Sequence, residues 1–311
     1  MEEIKNFLTK IATLYYVVGL SQKEIAEKYG ITRVKVSRYL ARAKNENIVE
    51  IKIKINKVDY SILEYKIEKK YNLRECIVVP SDEFFENIVR NIAEELSYLL
   101  NKTVRDGDFI GISWGKSLKS ITELIEVKPK KNISIIPIIG GLGNIDVGIH
   151  TNSIANIIAK KFNGSNYIIN CPAILDRISK ENIEKDINIT DILELGRNVD
   201  LAIVGLSDIG PESSLFKYGN LSQKDCEYLT NLGIVGDSNL FFLNEQGKHI
   251  KNEVDNRIIT IPLNNLKKSR NTIAIGFGHR KITITLALLR SGLIDTLIAD
   301  ENNINEIINT F

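Results

Sequence analysis

Residue types that build disulfide-rich and metal-binding proteins are scarce in this chain. Its 311 residues include only three cysteines and three histidines. The cysteines, Cys76, Cys171 and Cys226, are odd in number and far apart, which predicts neither a disulfide framework nor a zinc site. The histidines are equally scattered, so no metal ion or cofactor is expected.

Long apolar runs are also missing. No stretch approaches the roughly 18 residues that a helix needs to cross a bilayer, and the first five residues lack the pattern of a signal peptide. Hydrophobic residues make up 43% and charged residues 26% of the chain, as in ordinary globular proteins. We therefore expect a soluble, cytoplasmic protein without a membrane partner.

Charge is distributed unevenly, although the net charge is only +2. Residues 1–55 contain eleven Lys and Arg against six Asp and Glu, whereas the remainder carries a net charge of −3. A basic segment on a mildly acidic body indicates contact with a polyanion such as nucleic acid. The alternative is an ordinary charged surface in contact with solvent. The positions of the basic residues along the chain distinguish the two interpretations.

The first part of the chain has the pattern of three short helices. Apolar residues recur at helical spacing over 4–18, and Ser21 and Glu24 then form the pattern of a capping box for a second helix. Gly30 marks a tight turn, and Thr32 is suited to cap a third helix. This arrangement predicts a helix-turn-helix, whose last helix enters the major groove of DNA.

The third helix is predicted to be basic on one side only. Its apolar residues Val36, Leu40 and Ala43 share one face, and the stretch 31–44 holds five basic residues and no acidic one. Arginine can read guanine, valine can contact a thymine methyl, and lysine or hydroxyl groups can hold phosphates. The alternative is a helical hairpin that happens to be basic. The candidate DNA-binding residues are Ser21, Gln22, Thr32, Arg33, Val34, Lys35, Ser37, Arg38 and Arg42.

Two segments connect this region to the rest of the chain. Residues 49–55 alternate between apolar and polar, which predicts a half-buried strand, and a charged linker helix is predicted after them. We therefore expect a DNA-binding domain over 1–55, a linker helix over 56–74 and a larger domain over 75–311.

The larger domain alternates short apolar runs with helical patterns. Continuous apolar strands between helices are typical of a doubly wound, mostly parallel α/β sheet. Residues 240–243 and 258–261, separated by a turn near 245–247, are expected to form an antiparallel pair. The main strands are predicted over 76–79, 109–113, 133–139, 201–205, 272–276 and 297–299.

Glycine-rich turns follow four of these strands, at 113–115, 140–143, 205–208 and 276–278. Ligands of such sheets bind outside the carboxyl ends of the strands, where glycine allows close approach and a helix start offers free N–H groups. Nearby lysine and arginine residues favour a small, polar, phosphorylated ligand. The alternative is that turns between strands and helices need glycine in any case.

Two motifs in this region are similar to catalytic ones. Gly111–Gly115 matches the G-x-S-x-G nucleophile elbow, and Ser113, Asp237 and His279 occur in the order of a hydrolase triad, but no oxyanion-hole motif accompanies them. Gly111–Ser117 is one residue short of a Walker A loop, which must be long enough to wrap a β-phosphate. Both catalytic interpretations are therefore disfavoured.

As a set, the motifs resemble those of the SorC/DeoR-type family of bacterial sugar-responsive transcriptional regulators, along nearly the whole chain. In the head, the matching segments are Leu14–Tyr16, Ser21–Ala26, Val36–Leu40, Ala43–Lys44 and Ile48–Val49. In the body, they are Gly111–Ser117, Gly140–Gly141, Gly205–Asp208, Val235–Asp237, Gly278–Lys281 and Ala299–Glu301.

The resemblance implies a regulator whose effector domain has the fold of phosphosugar isomerases and deaminases but no catalytic activity. A sugar or sugar phosphate would change the affinity of a homo-dimer or homo-tetramer for double-stranded operator DNA. The alternative is an enzyme of that kind with an added DNA-binding head, in which Asp208, Asp237 or Asp300 serves as general base. The candidate effector-binding residues are Ser113, Gly115, Lys116, Gly140, Gly141, Gly143, Thr151, Asn152, Asp208, Asp237, Gly278, His279, Arg280 and Lys281.

Overall fold

The chain forms two compact units, Met1–Val58 and Asp59–Phe311. The computed structural model describes residues 2–51, 59–141, 147–210, 213–218 and 221–310. Each unit has buried apolar clusters of its own, so each is described separately.

The first unit consists of three helices, α1 (Glu2–Tyr16), α2 (Gln22–Tyr29) and α3 (Arg33–Asn45). Apolar residues from all three helices are buried together in a small core. The predicted capping box is confirmed, because the Glu24 N–H donates to Ser21 Oγ at 3.2 Å and the Ser21 N–H donates to Glu24 Oε2 at 2.7 Å. Thr32 caps α3 as predicted, accepting a hydrogen bond from the Lys35 N–H at 3.2 Å.

The strand predicted over 49–55 is not seen where the structure describes this segment. Residues 49–51 have no regular secondary structure, and residues 52–55 lie outside the described residues. Over residues 52–55 the strand stays a prediction, and the alternation of apolar and polar residues is its basis.

The second unit contains eleven helices and ten strands within the described residues, together with short 3-10 turns at Val147–Ile149, Glu253–Arg257 and His279–Lys281. The helices are α4 (Ser61–Tyr71), α5 (Phe85–Thr103), α6 (Lys116–Leu124), α7 (Thr151–Phe162), α8 (Arg177–Ile183), α9 (Ile187–Arg197), α10 (Ser214–Tyr218), α11 (Gln223–Asn231), α12 (Leu263–Leu266), α13 (Ile282–Ser291) and α14 (Glu301–Ile308). The strands are β1 (Glu75–Val79), β2 (Phe109–Ile112), β3 (Ser134–Pro137), β4 (Ser165–Asn166), β5 (Leu201–Gly205), β6 (Ser207–Asp208), β7 (Ile234–Ser238), β8 (Phe241–Asn244), β9 (Asn271–Gly276) and β10 (Thr296–Asp300).

Seven strands form one parallel sheet in the order β1-β10-β9-β5-β2-β3-β4. Successive residues of β5 point to opposite faces, so that Ala202 and Val204 join one buried cluster while Leu201 and Ile203 join the other. Helices α5, α6 and α7 contribute to the second cluster, and α4, α9, α13 and α14 to the first. Helices therefore cover both faces, which confirms the doubly wound α/β fold.

The antiparallel pair predicted between residues 240–243 and 258–261 is wrong. Strand β8 pairs with β7 instead, in a three-stranded sheet of order β6-β7-β8. The other segment forms isolated bridges, from Ile258 to Ile174 and from Thr260 to Ile139. Both segments are apolar enough for strands, but the local pattern does not indicate which partner each one reaches.

The helix predicted as a linker is built into the second unit. In α4, the Ile67 side chain is fully buried, and two carboxylates accept hydrogen bonds from the edge strand β1. Glu64 Oε1 accepts from the Val78 N–H at 2.9 Å, and Glu68 Oε1 accepts from the Cys76 N–H at 2.8 Å. These bonds satisfy the outer edge of the sheet, so α4 belongs structurally to the larger unit.

Candidate functional site

The exposed face of α3 has the composition expected of a DNA-reading helix. Val36 and Leu40 are buried against the other two helices, as predicted, while Arg33, Lys35 and Arg38 lie on the exposed side. Among the nine sequence candidates of the first unit, the exposed ones are Ser21, Thr32, Arg33, Val34, Lys35, Ser37, Arg38 and Arg42, and Gln22 is half-buried.

Not all of these candidates are equally available. Val34 exposes 63% of its surface, although it is apolar, which leaves it accessible to an apolar feature of a partner. Arg42 is paired with Glu46 at 2.6 Å, which offsets its charge. The side chains of Ser21 and Thr32 are occupied as helix caps, so their hydroxyl oxygens already accept backbone hydrogen bonds.

A cavity of about 380 Å³ opens at the carboxyl edge of the large sheet. Its walls come from the loops that follow β2, β5 and β9 and from the small antiparallel sheet. We call it the effector cavity. The sequence candidates that line it are Ser113, Gly115, Lys116, Asp208, Asp237, Gly278, His279, Arg280 and Lys281.

Asp237 is a buried carboxylate in the wall of the effector cavity. Its Oδ2 atom accepts a hydrogen bond from the Leu240 N–H at 2.8 Å, whereas Oδ1 has no hydrogen-bond partner among the described residues. The pKa of Asp237 is raised to about 7, mainly by burial and also by the nearby Asp208, while the hydrogen bond from Leu240 and the charge of Lys281 act in the opposite direction. An incoming hydroxyl group would satisfy the free oxygen.

Lys281 supplies a cation to the same cavity. Its Nζ lies 3.4 Å from Ser117 Oγ and 5.4 Å from the centre of the Phe277 ring. The protein walls remove the ammonium group from water, which lowers its pKa to about 8, although the carboxylates of Asp208 and Asp237 act in the opposite direction. The side chain is therefore a cation that lacks full hydration and full pairing.

A second cation, Arg280, is held by a carboxylate across the cavity. Its Nη2 and Nε atoms donate to Asp208 Oδ2 at 2.7 and 3.2 Å. Because both donors meet one oxygen, the pair is not the side-by-side bidentate arrangement that makes such pairs strongest. An anionic group that enters the cavity would compete with Asp208 for this guanidinium.

The loop that carries these cations is fixed by Asp300, at the end of β10. This carboxylate is only 3% exposed. It accepts hydrogen bonds from the Gly278 N–H at 3.0 Å, from Asn303 Nδ2 at 2.7 Å and from Ser81 Oγ at 2.9 Å. With three donors aimed at it, Asp300 positions the loop and does not line the effector cavity.

Ser113 does not have the environment of a catalytic nucleophile. Its Oγ donates to Asn239 Oδ1 at 2.8 Å, so its hydroxyl proton points to an amide and not to a histidine base. Asn239 is fixed in turn, because its Nδ2 donates to the Ile261 carbonyl at 2.8 Å. The hydrolase order noted in the sequence therefore does not correspond to a triad.

Four other effector candidates lie away from the effector cavity, and Gly143 lies outside the described residues. Gly140 and Gly141 are required for close packing, since a Cβ atom on Gly140 would lie 2.7 Å from backbone atoms of residues 172 and 173. On Gly141 it would lie 2.1 Å from the His150 ring. The glycines thus allow two chain segments to approach each other.

Thr151 and Asn152 begin α7 beside these glycines. The Asn152 amide binds the backbone of Ile169 on both sides, because Nδ2 donates to the Ile169 carbonyl and Oδ1 accepts from the Ile169 N–H, both at 3.0 Å. Thr151 is completely buried, and its Oγ1 has no hydrogen-bond partner among the described residues. Asn152 therefore braces a neighbouring loop in this structure.

Sequence reasoning missed several residues of the cavity wall. Phe85 and Phe277, far apart in the chain, have ring centres 5.5 Å apart, and Lys116 Nζ lies 5.8 Å from the Phe85 ring centre. Phe277 lies in the glycine-rich turn at 276–278, but only the fold brings Phe85 beside it, so no local pattern indicates this pair. The wall residues with functional side chains that are absent from the candidates are Phe85, Trp114, Ser117, Ser213, Asn239 and Phe277.

The described residues offer neither a metal site nor a membrane-spanning helix. No group of three or more His, Cys, Asp or Glu side chains in the described ranges is placed to hold a metal ion. Likewise, none of the helices that the structure describes combines the length and apolar character of a membrane span.

Comparison with known proteins identifies relatives along the whole chain. The deoxyribonucleoside regulator of Bacillus subtilis (strain 168) is 27% identical over 310 residues, which cover 99% of this chain and 98% of that protein. A DeoR family transcriptional regulator from Listeria monocytogenes is 32% identical with a TM-score of 0.73, covering 79% of this chain and 98% of that chain. The full-length sorbitol operon regulator SorC from Klebsiella pneumoniae has a TM-score of 0.77 over 99% of this chain and 100% of that chain; at 24% identity, it supports the fold.

The family described as "Putative sugar-binding domain" matches residues 57–309, which is most of the chain. The relatives named above are transcriptional regulators and not enzymes, so the enzyme alternative has no support. The chain therefore belongs to the SorC/DeoR-type family of transcriptional regulators with a sugar-binding domain.

Proposed function

We propose that a sugar phosphate binds in the effector cavity and thereby changes the affinity of the first unit for operator DNA. The observation that carries this proposal is the presence, in one cavity, of two cations and a buried carboxylate with a free oxygen. A phosphate group matches the cations, and a sugar hydroxyl matches the free oxygen.

The cationic side of the effector cavity suits a phosphate group. Lys281 and Arg280 lie on one loop, and the first turn of α6, which starts at Lys116, contributes N–H groups without intrahelical partners. Asp208 competes with the ligand for the guanidinium of Arg280. A sugar without a phosphate group would therefore displace Asp208 less readily than a phosphorylated sugar.

The opposite wall suits hydroxyl groups. Asp237 Oδ1 is a buried acceptor without a donor among the described residues, and leaving such an atom unpaired is unfavourable. A sugar hydroxyl would supply the missing donor. Asp237 and Asp208 therefore are proposed to read hydroxyl positions, while Ser113 and Asn239 hold the wall in place.

The first unit is proposed to read DNA through α3. Arg33 and Arg38 would contact guanine edges, Val34 a thymine methyl, and Lys35 a phosphate. Effector binding would be coupled to this contact by a free energy typical of allosteric proteins, about 1–3 kcal/mol.

The proposal is tested by measuring duplex binding with and without metabolites. A duplex enriched from random sequence by the full chain is titrated by fluorescence anisotropy against a panel of pentose and hexose phosphates and the matching free sugars. At least one sugar phosphate is expected to change the dissociation constant by about 5- to 150-fold. Lys281→Gln is expected to keep duplex affinity and lose this response.

The matched control is Lys248→Gln, which removes an exposed lysine of the same unit and is expected to keep the response. The proposed ligand class would be wrong if no sugar phosphate changed the duplex affinity of the wild type. It would also be wrong if free sugars changed the duplex affinity of the Lys281→Gln protein as much as sugar phosphates change that of the wild type.

The active form is proposed to be a cytoplasmic homo-dimer or homo-tetramer. Helix-turn-helix proteins commonly bind two half-sites about one DNA turn apart, which requires at least two reading helices. Sedimentation velocity of the full chain, free and bound to the enriched duplex, tests this; a monomer in both samples would contradict it.

A further inference from the structure

A second cavity, of about 410 Å³, lies at the opposite edge of the large sheet. It is formed where β5 and β9 begin and where α5 ends, so it is separated from the effector cavity by the length of the strands. The two cavities share no lining residue. We call it the basic cleft and define it by Arg74, Lys102, Arg105, Arg270 and Asn271.

One of its cations is part of a rigid ion-pair network. Arg270 Nη2 donates to Asp108 Oδ2 at 2.5 Å, and its Nε lies 3.9 Å from Asp200 Oδ1. The Asp108 side chain is almost fully buried, which holds the guanidinium in a fixed place. Arg74 Nη1 donates to the carbonyl oxygen of Arg270, so a second guanidinium is attached to the same network.

The other cations of the basic cleft are less compensated. Lys102 Nζ lies 3.7 Å from Glu75 Oε1, and both side chains are partly exposed. Within the described part of the chain, no carboxylate forms an ion pair with Arg74 or Arg105. Two exposed guanidinium groups thus line one concave surface without forming an ion pair in the described ranges, and an anion in the basic cleft would give them a charged partner.

The buried amide of Asn271, in the wall of the basic cleft, has one atom without a hydrogen-bond partner among the described residues. Asn271 is 2% exposed. Its Oδ1 accepts a hydrogen bond from Thr296 Oγ1 at 3.0 Å, while Nδ2 has no acceptor among the described residues. Buried donors are normally satisfied, and an anion oxygen in the basic cleft would provide the missing acceptor. This observation is independent of the charges and indicates the same kind of ligand.

We propose that the basic cleft is a second ligand site of the sugar-binding unit, which binds a compact metabolite with two or more phosphate charges. Arg74, Arg105 and Lys102 hold the charge, and Asn271 Nδ2 donates to a phosphate oxygen. A volume of about 410 Å³ fits a small molecule. The site is independent of the effector cavity and of the regulatory role proposed above.

Calorimetric titration of the full chain with pyrophosphate tests the site. Wild-type protein is expected to bind pyrophosphate saturably. Arg105→Gln and, separately, Lys102→Gln are expected to weaken this binding by about tenfold or more, as for loss of a charged hydrogen bond. Both side chains are exposed, so both variants should fold.

The matched control is Arg90→Gln, an exposed arginine near the other end of α5, roughly 20 Å along the helix axis. It is expected to leave pyrophosphate binding unchanged. Equal weakening by Arg90→Gln would show that only overall charge matters, and would overturn the proposal.

Lys281→Gln separates the two cavities. The basic cleft should still bind pyrophosphate in this variant, with the same sensitivity to Arg105→Gln. Loss of all binding in Lys281→Gln together with full binding in Arg105→Gln would assign the anion to the effector cavity alone. That result, or the absence of saturable binding in the wild type, would overturn the second site.

Discussion

At the scale of single residues, identical side chains have different roles because their surroundings differ. Asp300 and Asp237 are both buried carboxylates. Three donors satisfy Asp300, so it serves to fix a loop. Asp237 keeps an oxygen without a partner among the described residues, and its raised pKa is the consequence of burial with incomplete hydrogen bonding.

Asp237 makes the stability of the second unit depend on pH. Its pKa is raised in the folded chain from 3.8 to about 7, so the folded state keeps a proton that the unfolded state has already lost. The resulting stabilisation is complete below pH 3.8 and is lost as pH rises through 7. Between pH 5 and pH 7, the unfolding free energy of wild type should fall by about 2 kcal/mol more than that of Asp237→Asn.

Denaturant unfolding followed by tryptophan fluorescence measures this difference. The single tryptophan, Trp114, lies in the wall of the effector cavity and is 8% exposed, so it reports on the second unit. Asp191→Asn, which neutralises an exposed carboxylate of α9, is the control and should follow wild type. Parallel pH profiles for wild type and Asp237→Asn would contradict the assignment.

Two basic residues of α3 are expected to contribute differently to DNA binding. Arg38→Ala should weaken binding to the enriched duplex by about 1–3 kcal/mol and relax the preference at one base pair, because a planar fork to guanine is lost. Lys35→Ala should weaken binding to all duplexes evenly and reduce the salt dependence by about one unit of slope. Anisotropy titrations over a series of salt concentrations and single-base duplex variants distinguish the two. Unchanged affinity and preference in Arg38→Ala would mean that another face reads the DNA.

At the scale of elements, the signals that are local in sequence are those that the structure confirms. The caps at Ser21 and Thr32, the buried face of α3 and the main strands depend on residues a few positions apart. Strand partners and cavity walls depend on contacts across the whole chain. For this reason, the pairing of β8, the Ser113–Asn239 bond and the basic cleft could not be predicted.

The glycines at residues 140 and 141 illustrate the same limit. In the sequence, these glycines follow a strand. Either the close approach of a ligand or close packing within the protein could explain why glycine stands there. Only the positions of residues 150, 172 and 173 reveal that the space around these glycines is filled by protein.

Gly140→Ala is therefore expected to destabilise the second unit by about 1–3 kcal/mol, because backbone atoms on both sides would have to move. Gly205→Ala is the matched control, since its Cβ would make only ordinary contacts of 3.5 Å with Leu118. Tryptophan-monitored unfolding compares the two. Equal stability of the two variants would contradict the packing role.

At the scale of the whole molecule, the chain combines two units with separate cores. The effector cavity lies entirely within residues 59–311. The proposed DNA-reading face lies entirely within the first unit. The effect of the effector on duplex affinity is consequently a property of the intact chain and its assembly. Binding of the effector alone should not require the first unit, and binding of DNA alone should not require the second.

A fragment of residues 59–311 should accordingly bind the active sugar phosphate with the dissociation constant of the full chain, within about twofold, and should not bind duplex DNA. The ligand should raise the melting temperature of the fragment according to its concentration relative to the dissociation constant. Calorimetric titration of both proteins checks the affinity. A large loss of affinity in the fragment would place part of the ligand site in the removed residues.

The charged side chains of the effector cavity come from loops at the ends of strands and from the small antiparallel sheet, and they lie outside the buried apolar clusters. These charged wall residues can therefore be exchanged while the scaffold stays intact. A lineage of such proteins can acquire new effectors through a few substitutions, and laboratory selection for an altered effector response should find its successful changes in those walls.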